Sequence, residues 1–171
     1  MYSVNASVPA AVEGLRADLA DELAGFERVV EVPTLVVKRL GRQRSSALEL
    51  VAGRIEAALE GWGPVAARID ELGVFVDPPS GTGPVVYLAV ESPGLRALHR
   101  DLVDAIGVAN PAVEGANYVP HVTLARDGNR AAAAALSGRS VGPLEWTVDR
   151  LVLYDARHGQ AVSHYTLPTH H

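Results

Sequence analysis

Hydrophobic positions recur along this chain with two different periods, which predict interleaved strands and helices. Segments in which apolar or β-branched residues alternate with polar ones, or run together for a few residues, are typical of strands. Segments with apolar residues three or four apart are typical of amphipathic helices. The predicted strands are Tyr2–Ala6, Val29–Leu40, Val65–Phe75, Val85–Val90, Tyr118–Arg126, Trp146–Tyr154 and Ala161–Leu167.

Capping residues mark where the predicted helices begin and end. Ser7 is expected to cap the first helix, Ser46 and Glu49 form a capping-box pattern, and Ser92 with the following proline begins the third helix. His99 lies beside the apolar stripe of that third helix and is expected on its solvated face. The predicted helices cover residues 8–24, 46–60, 93–106 and 130–136.

The order of these elements favours an α+β fold with an antiparallel sheet. Neighbours such as the last two strands are separated by a turn around 157–159, which is too short for a parallel crossover. We expect one domain over residues 1–169, with 170–171 as a possible tag remnant or disordered end.

Composition narrows the possible functions. The chain has 171 residues and no cysteine, which excludes disulfide scaffolds, thiolate metal sites and cysteine nucleophiles. A formal net charge of -5 disfavours nonspecific binding to duplex nucleic acid. The sequence shows neither a signal peptide nor an apolar run of membrane-spanning length, so we expect a cytoplasmic protein that does not bind membranes.

The segment Tyr118–Arg126 carries the clearest candidate chemistry. On a regular strand His121, Thr123 and Ala125 share one face, and Arg126 at the strand end could turn toward a bound anion. An imidazole can exchange a proton near neutral pH, and a hydroxyl can donate to a phosphoryl oxygen. The alternative from spacing alone is a half-exposed strand whose histidine bonds a neighbour.

This segment resembles the second signature of the 2H phosphoesterase superfamily, which includes 2′-5′ RNA ligases and cyclic phosphodiesterases. The order of the elements around it is similar to that family over nearly the whole chain. The resemblance implies two pseudo-symmetric lobes whose antiparallel sheets flank a central cleft. It also implies opening of a 2′,3′-cyclic or 2′,5′-linked phosphodiester without metal or cofactor, with two histidines as acid and base and two threonines holding the phosphate.

The first family motif is incomplete in this chain. Residues 32–41 resemble its surroundings, and if Thr34 matches Thr123, Val32 stands where the first histidine is expected. If Val32 and Pro33 are instead matched to Val119 and Pro120, Thr34 stands there, so neither register supplies a histidine. Valine cannot exchange a proton, and loss of one acid–base group typically costs about 10²–10⁴-fold in rate.

Several residues could compensate for Val32. Lys38 lies at an even offset from Thr34, so a regular strand would place its ammonium on the motif face, whereas Arg39 would point the other way unless a bulge intervenes. His158 or His164 on the last hairpin could reach the cleft. By its resemblance to the family, Tyr165 is expected to line the cleft and stack a base.

Two hypotheses follow. The first is a 2′-5′ RNA ligase-like protein that binds, and at most weakly cleaves, such phosphodiesters at small nucleotides or RNA ends. The second is a catalytically inactive binding or scaffold protein, so whether the chain is an enzyme stays open, as does its oligomeric state. The expected catalytic residues are His121, Thr123 and Thr34, and the expected substrate-binding residues are Lys38, Tyr165 and Arg126.

Overall fold

The computed structural model describes residues 1–169, so the possible tag remnant at 170–171 lies outside the described residues. The strands are β1 (Tyr2–Ala6), β2 (Phe26–Val29), β3 (Leu35–Gly41), β4 (Val65–Phe75), β5 (Val85–Glu91), β6 (His121–Gly128), β7 (Ser140–Val148), β8 (Arg150–Asp155) and β9 (Gln160–Thr166). The helices are α1 (Ala11–Asp18), α2 (Ala20–Leu23), α3 (Ser45–Ala58), α4 (Pro93–Ile106) and α5 (Arg130–Ala135), with a 3₁₀ turn at Gly115–Asn117.

The strands form one nine-stranded sheet in which every pairing is antiparallel. Its order is β7-β4-β5-β6-β3-β1-β8-β9, and β2 also pairs with β6. The two halves of the sheet meet where β3 pairs with β6, through the single pair Leu35 and Val122. The predicted α+β class with antiparallel sheets is confirmed, and the two lobes are the halves on either side of this joint.

The core lies between one face of the sheet and helices α3 and α4, which pack on each other. Leucines three and four apart on α4 are fully buried there, among them Leu95, Leu98 and Leu102. The opposite face of the central strands carries the polar side chains described below.

The helix α4 begins as its sequence predicts, because the Ser92 hydroxyl accepts a hydrogen bond from the Leu95 N–H at 3.1 Å. Two other predicted caps are wrong. The first helix begins after Ala10 rather than Ser7, and α3 begins after Arg44, so Ser46 lies inside its first turn and caps nothing. None of the helices within residues 1–169 is long and apolar enough to cross a membrane.

The predicted strand Val29–Leu40 is wrong, because the chain forms two strands there with an irregular segment between them. The Val30 N–H still donates to the Leu124 carbonyl at 2.8 Å, and pairing with β6 resumes at Leu35, opposite Val122. Residues 31–34 therefore arc outward opposite one residue of β6. Pro33 within this segment has no N–H to donate to a ladder.

Candidate functional site

Strand β6 presents His121 and Thr123 on one face of the sheet, as predicted. Both side chains are partly exposed, whereas Val122 and Leu124 between and after them are fully buried on the helix-covered face. The strand end differs from the prediction. Leu124 forms a bulge against β5, since Val86 pairs with Ala125 and Tyr87 with Thr123.

This bulge reverses the alternation of β6 beyond Leu124. Ala125 is fully buried, so the prediction that it shares a face with His121 is wrong. Arg126 pairs with Val85 and turns to the face of His121 instead. Its guanidinium donates to the Thr82 carbonyl at 3.1 Å, in the loop between β4 and β5.

The His121 ring is held by a hydrogen bond and two aromatic contacts. Its Nδ1 lies 2.6 Å from the Val119 carbonyl, which can only accept, so Nδ1 carries the proton. The rings of Tyr87 and Phe75 contact the imidazole edge-to-face, with centroids at 5.2 and 5.8 Å. In the neutral ring Nε2 is then a proton acceptor with a fixed orientation.

The surroundings of His121 favour its neutral form. Burial lowers its pKa most, and the positive charges of Arg39 and Arg126 lower it further, against the opposing effect of the Val119 hydrogen bond. The imidazole is therefore a base at pH 7 rather than an acid.

Beyond the Leu35–Val122 pair, β3 and β6 diverge around a small cavity of about 60 Å³. We call it the junction cavity. His121 and Arg39 line it from the two strands, and apolar side chains supply most of the rest. The other lining residues are Val36, Val37, Phe75, Pro79, His99, Val113, Glu114, Asn117, Tyr118 and Val119.

The half of the site expected from the first motif lies in the arc 31–34. Thr34 directly precedes Leu35 and Thr123 directly follows Val122, so both threonines lie on the same side of the joint between the lobes. Thr34 is exposed, and Val32 is 72 % exposed. The position of the expected first histidine is therefore open to solvent, in the arc that lies opposite Thr123.

The prediction that Lys38 shares the face of Thr34 is wrong. Its side chain is fully buried on the core side, where Nζ forms an ion pair with the equally buried Glu114. A bulge in β3 causes this, because Asn5 of β1 pairs with Val36 and Val4 pairs with Lys38, which leaves Val37 without a partner. Arg39 takes the cleft-facing position that the sequence assigned to Lys38.

The placement expected for Tyr165 is also wrong. Its hydroxyl donates to the Ala52 carbonyl of α3 at 3.3 Å, and the ring lines a groove of about 620 Å³ between α3 and β9. Strand β9 is three strands from β3 in the sheet, and neither His121 nor Arg39 lines this groove. Tyr165 is the last residue but one of β9, and the sequence there gave no signal of which face it would occupy.

Neither histidine of the last hairpin joins the junction cavity. His158 lies 2.6 Å from Asp155 in the turn after β8, and the exposed His164 lies on β9. The prediction for His99 is wrong as well: it is fully buried, with Nδ1 2.7 Å from the Val37 carbonyl. The leucine stripe beside it gave no signal of burial, whereas the Val37 carbonyl and the Gly115 N–H together satisfy both nitrogens of the buried ring.

The residues that sequence reasoning undervalued are arginines. The positive charges of Arg39 and Arg126 both lower the pKa of His121. Arg28, which forms an ion pair with Asp127, lowers the pKa of Arg126 by its charge. Across residues 1–169 neither Arg39 nor Arg126 forms an ion pair. This local excess of positive charge on a chain of net charge -5 suits an anionic ligand.

Comparison with known families gives one match. The model of the 2′-5′ RNA ligase superfamily matches residues 32–160, a segment that begins at Val32 and includes both threonines and His121. Comparison with curated protein sequences finds no match.

Solved structures of similar fold cover nearly the whole chain. TT0787 of Thermus thermophilus is 22 % identical with a TM-score of 0.73, and the match covers 99 % of both chains. E. coli LigT complexed with NADP+ is 16 % identical with a TM-score of 0.70, covering 98 % of both chains. E. coli LigT complexed with 3′-AMP is 19 % identical with a TM-score of 0.65, again covering 98 % of both. At these identities the likeness concerns the fold.

Proposed function

Since the chain belongs to the 2′-5′ RNA ligase superfamily, we propose that it binds small RNA-derived phosphodiesters beside His121 and hydrolyses them weakly or not at all. The partner is a 2′,3′-cyclic or 2′,5′-linked nucleotide or RNA end in the cytoplasm. The observation that carries this proposal is the neutral imidazole of His121, held by Val119 and set beside two arginines without ion-pair partners within residues 1–169. The complexes of LigT with 3′-AMP and with phosphate support a small phosphate-bearing nucleotide as the kind of ligand.

His121 is suited to the part of general base. Its Nε2 accepts a proton from a water molecule as that oxygen attacks phosphorus. The bond from phosphorus to the ribose 2′ or 3′ oxygen breaks, and the electron pair leaves with that oxygen. The Thr123 and Thr34 hydroxyls donate to the nonbridging phosphoryl oxygens, and Arg126 adds positive charge.

The leaving oxygen needs a proton, and this chain lacks the group that would give it. By the resemblance to the family, Val32 stands where the first histidine is expected, and it is exposed, so in this proposal the proton comes from solvent. This observation favours binding over turnover. A catalytically inactive nucleotide-binding protein is therefore the second candidate function, and both candidates use the same site.

Calorimetry and a hydrolysis assay test the proposal together. We expect adenosine 2′,3′-cyclic phosphate to bind more tightly than adenosine, because only the cyclic nucleotide carries the phosphodiester. The His121→Ala substitution should reduce this difference in affinity. His164→Ala is the matched control, since this exposed histidine lies outside the junction cavity. Equal or absent heats for the two ligands would contradict a phosphate site. Incubation without metal then distinguishes slow hydrolysis from binding alone.

A further inference from the structure

Backbone carbonyls at and beside the bulge in β3 accept hydrogen bonds from buried side chains. The Tyr118 hydroxyl donates to the Val36 carbonyl at 2.9 Å. His99 Nδ1 donates to the Val37 carbonyl at 2.7 Å, and Lys38 Nζ donates to the Arg39 carbonyl at 2.6 Å. Three side chains thus donate hydrogen bonds to three carbonyls within one irregular stretch of β3.

The donors themselves are fixed in place. His99 Nε2 accepts the Gly115 N–H at 2.9 Å, so its proton must be on Nδ1 and the ring is neutral. Burial is also the main cause that lowers the pKa of His99. The Tyr118 ring stacks on the imidazole with centroids 4.0 Å apart.

Glu114 anchors the remaining donor. Its carboxylate forms an ion pair with Lys38 and accepts the backbone N–H groups of Ala109, at 2.9 Å, and Asn110. The Lys38 and Glu114 side chains are almost wholly buried, and no buried side-chain polar atom in the part of the chain that the structure describes lacks a hydrogen-bond partner. A buried ion pair that is this well satisfied fixes one geometry.

The geometry it fixes is the position of Arg39. A regular strand would place Arg39 on the core face with Leu35 and Val37, whereas the bulge at Val37 places it on the opposite face with Val36. Arg39 lines the junction cavity opposite His121 and makes no ion pair within residues 1–169. A buried network therefore holds this guanidinium, which has no ion-pair partner within residues 1–169, in the junction cavity across from His121.

We propose that Arg39 is a phosphate-binding residue of this site, and that Tyr118, His99, Lys38 and Glu114 are positioning residues that set it there through the β3 bulge. This inference rests on the proposed function. The guanidinium donates to the nonbridging oxygens and offsets their charge, as a protonated imidazole at position 32 would. It cannot donate a proton near neutral pH, so it supports binding without replacing the missing acid.

The first test compares ligand affinities of Arg39 variants by calorimetry. Hydrogen bonds to charged groups contribute enough that Arg39→Ala should weaken binding of adenosine 2′,3′-cyclic phosphate about 10–100-fold, with adenosine affinity unchanged. Arg39→Lys should restore part of the loss. Arg44→Ala, at an exposed arginine outside the junction cavity, should change neither affinity.

The result separates this inference from the function on which it rests. If the native protein binds the cyclic nucleotide and His121→Ala weakens it but Arg39→Ala does not, Arg39 is not a ligand of the phosphate and the inference fails alone. If the native protein does not prefer the cyclic nucleotide over adenosine, the proposed function fails and the inference falls with it.

A double-mutant cycle tests the positioning part. Tyr118→Phe removes only the hydroxyl that holds the Val36 carbonyl and keeps the stacked ring, so the protein should stay folded. It should weaken cyclic-nucleotide binding in the native background and have no further effect in the Arg39→Ala background. Equal effects in both backgrounds would show that Tyr118 acts independently of Arg39. That result would overturn the proposal that Tyr118 positions Arg39.

Discussion

The two halves of the site differ in how the backbone presents their side chains. His121 and Thr123 lie at the start of a strand paired on both sides, where simple alternation puts both on one face. Thr34 lies in an arc before β3, and Arg39 lies beyond a bulge in that strand. The segment that resembles the complete family motif has regular backbone, whereas the segment that resembles the other motif has backbone that simple alternation does not describe.

Because of this difference, the two halves of the site have different chemical properties. The regular half keeps a group that can exchange a proton, in a neutral state set by burial. The irregular half has an arginine that attracts anions but cannot exchange a proton. A site with one base and surplus positive charge should hold a phosphodiester better than it cleaves one.

The largest expected effect comes from restoring the missing group. Val32→His places an imidazole in the arc opposite Thr123, at an exposed position that accepts a larger side chain without repacking. We expect hydrolysis of a 2′,3′-cyclic nucleotide to rise by up to about 10²–10⁴-fold, because a proton donor then serves the leaving oxygen. The rate of hydrolysis is measured in the absence of metal by chromatography of the products.

The control for this gain is a second substitution. Val32→His combined with His121→Ala should lose the gain, since two groups are needed. Strong native turnover that His121→Ala leaves unchanged would show that the chemistry belongs to other residues.

The buried ion pair of the irregular half is expected to dominate its stability. Glu114→Gln should cost about 3–5 kcal/mol of the free energy of unfolding, because it leaves Lys38 charged, buried and unpaired. Asp77→Asn at the exposed pair with Arg130 should cost far less. Urea denaturation of both variants measures the difference, and equal losses would contradict the buried pairing.

In the regular half, the position of the Tyr87 ring requires that residue 73 has no side chain. A Cβ at Gly73 would lie 2.3 Å from the Tyr87 ring, which packs on His121. Gly73→Ala should therefore cost about 1–3 kcal/mol and weaken nucleotide binding by displacing that ring. Gly53→Ala, where the new Cβ meets nothing within 4 Å in α3, should instead raise thermal stability.

The smallest effect is a pH dependence of stability. Burial lowers the pKa of both His99 and His121, so the unfolded chain binds protons that the folded protein does not. The free energy of unfolding should be constant above the unfolded value of about 6.5 and fall below it, by at most about 1.4 kcal/mol per pH unit for each histidine. Asp77, whose pKa the Arg130 hydrogen bond lowers, contributes only at more acidic pH.

Denaturation curves between pH 7.5 and 5.5 measure this slope. His121→Asn should make it shallower, and an unchanged slope would show that His121 is as easily protonated in the folded protein as in the unfolded chain.

Regular patterns in the sequence were sufficient to predict the antiparallel α+β fold, the cap at Ser92 and the shared face of His121 and Thr123. These patterns failed where side chains from other parts of the chain contact a segment and influence its backbone conformation, as around Val37. The carbonyls at and beside the bulge at Val37 accept hydrogen bonds from Tyr118, His99 and Lys38. Tyr118 and His99 are distant in sequence, and Lys38 was expected on the other face.

For the same reason Lys38 and Arg39 exchanged their expected faces. A one-residue bulge reverses alternation, and nothing in the local sequence from Thr34 to Gly41 marks where it falls. Tyr165 shows a similar limit, since its amphipathic ring suits either face of β9.

A crystal structure of the native protein with adenosine 2′,3′-cyclic phosphate tests the central claim most directly. We predict that the phosphorus lies between the hydroxyls of Thr34 and Thr123, with His121 Nε2 and the Arg39 guanidinium within hydrogen-bond distance of its oxygens. A nucleotide bound in the groove between α3 and β9, or in the cleft with its phosphate away from His121, would contradict the account.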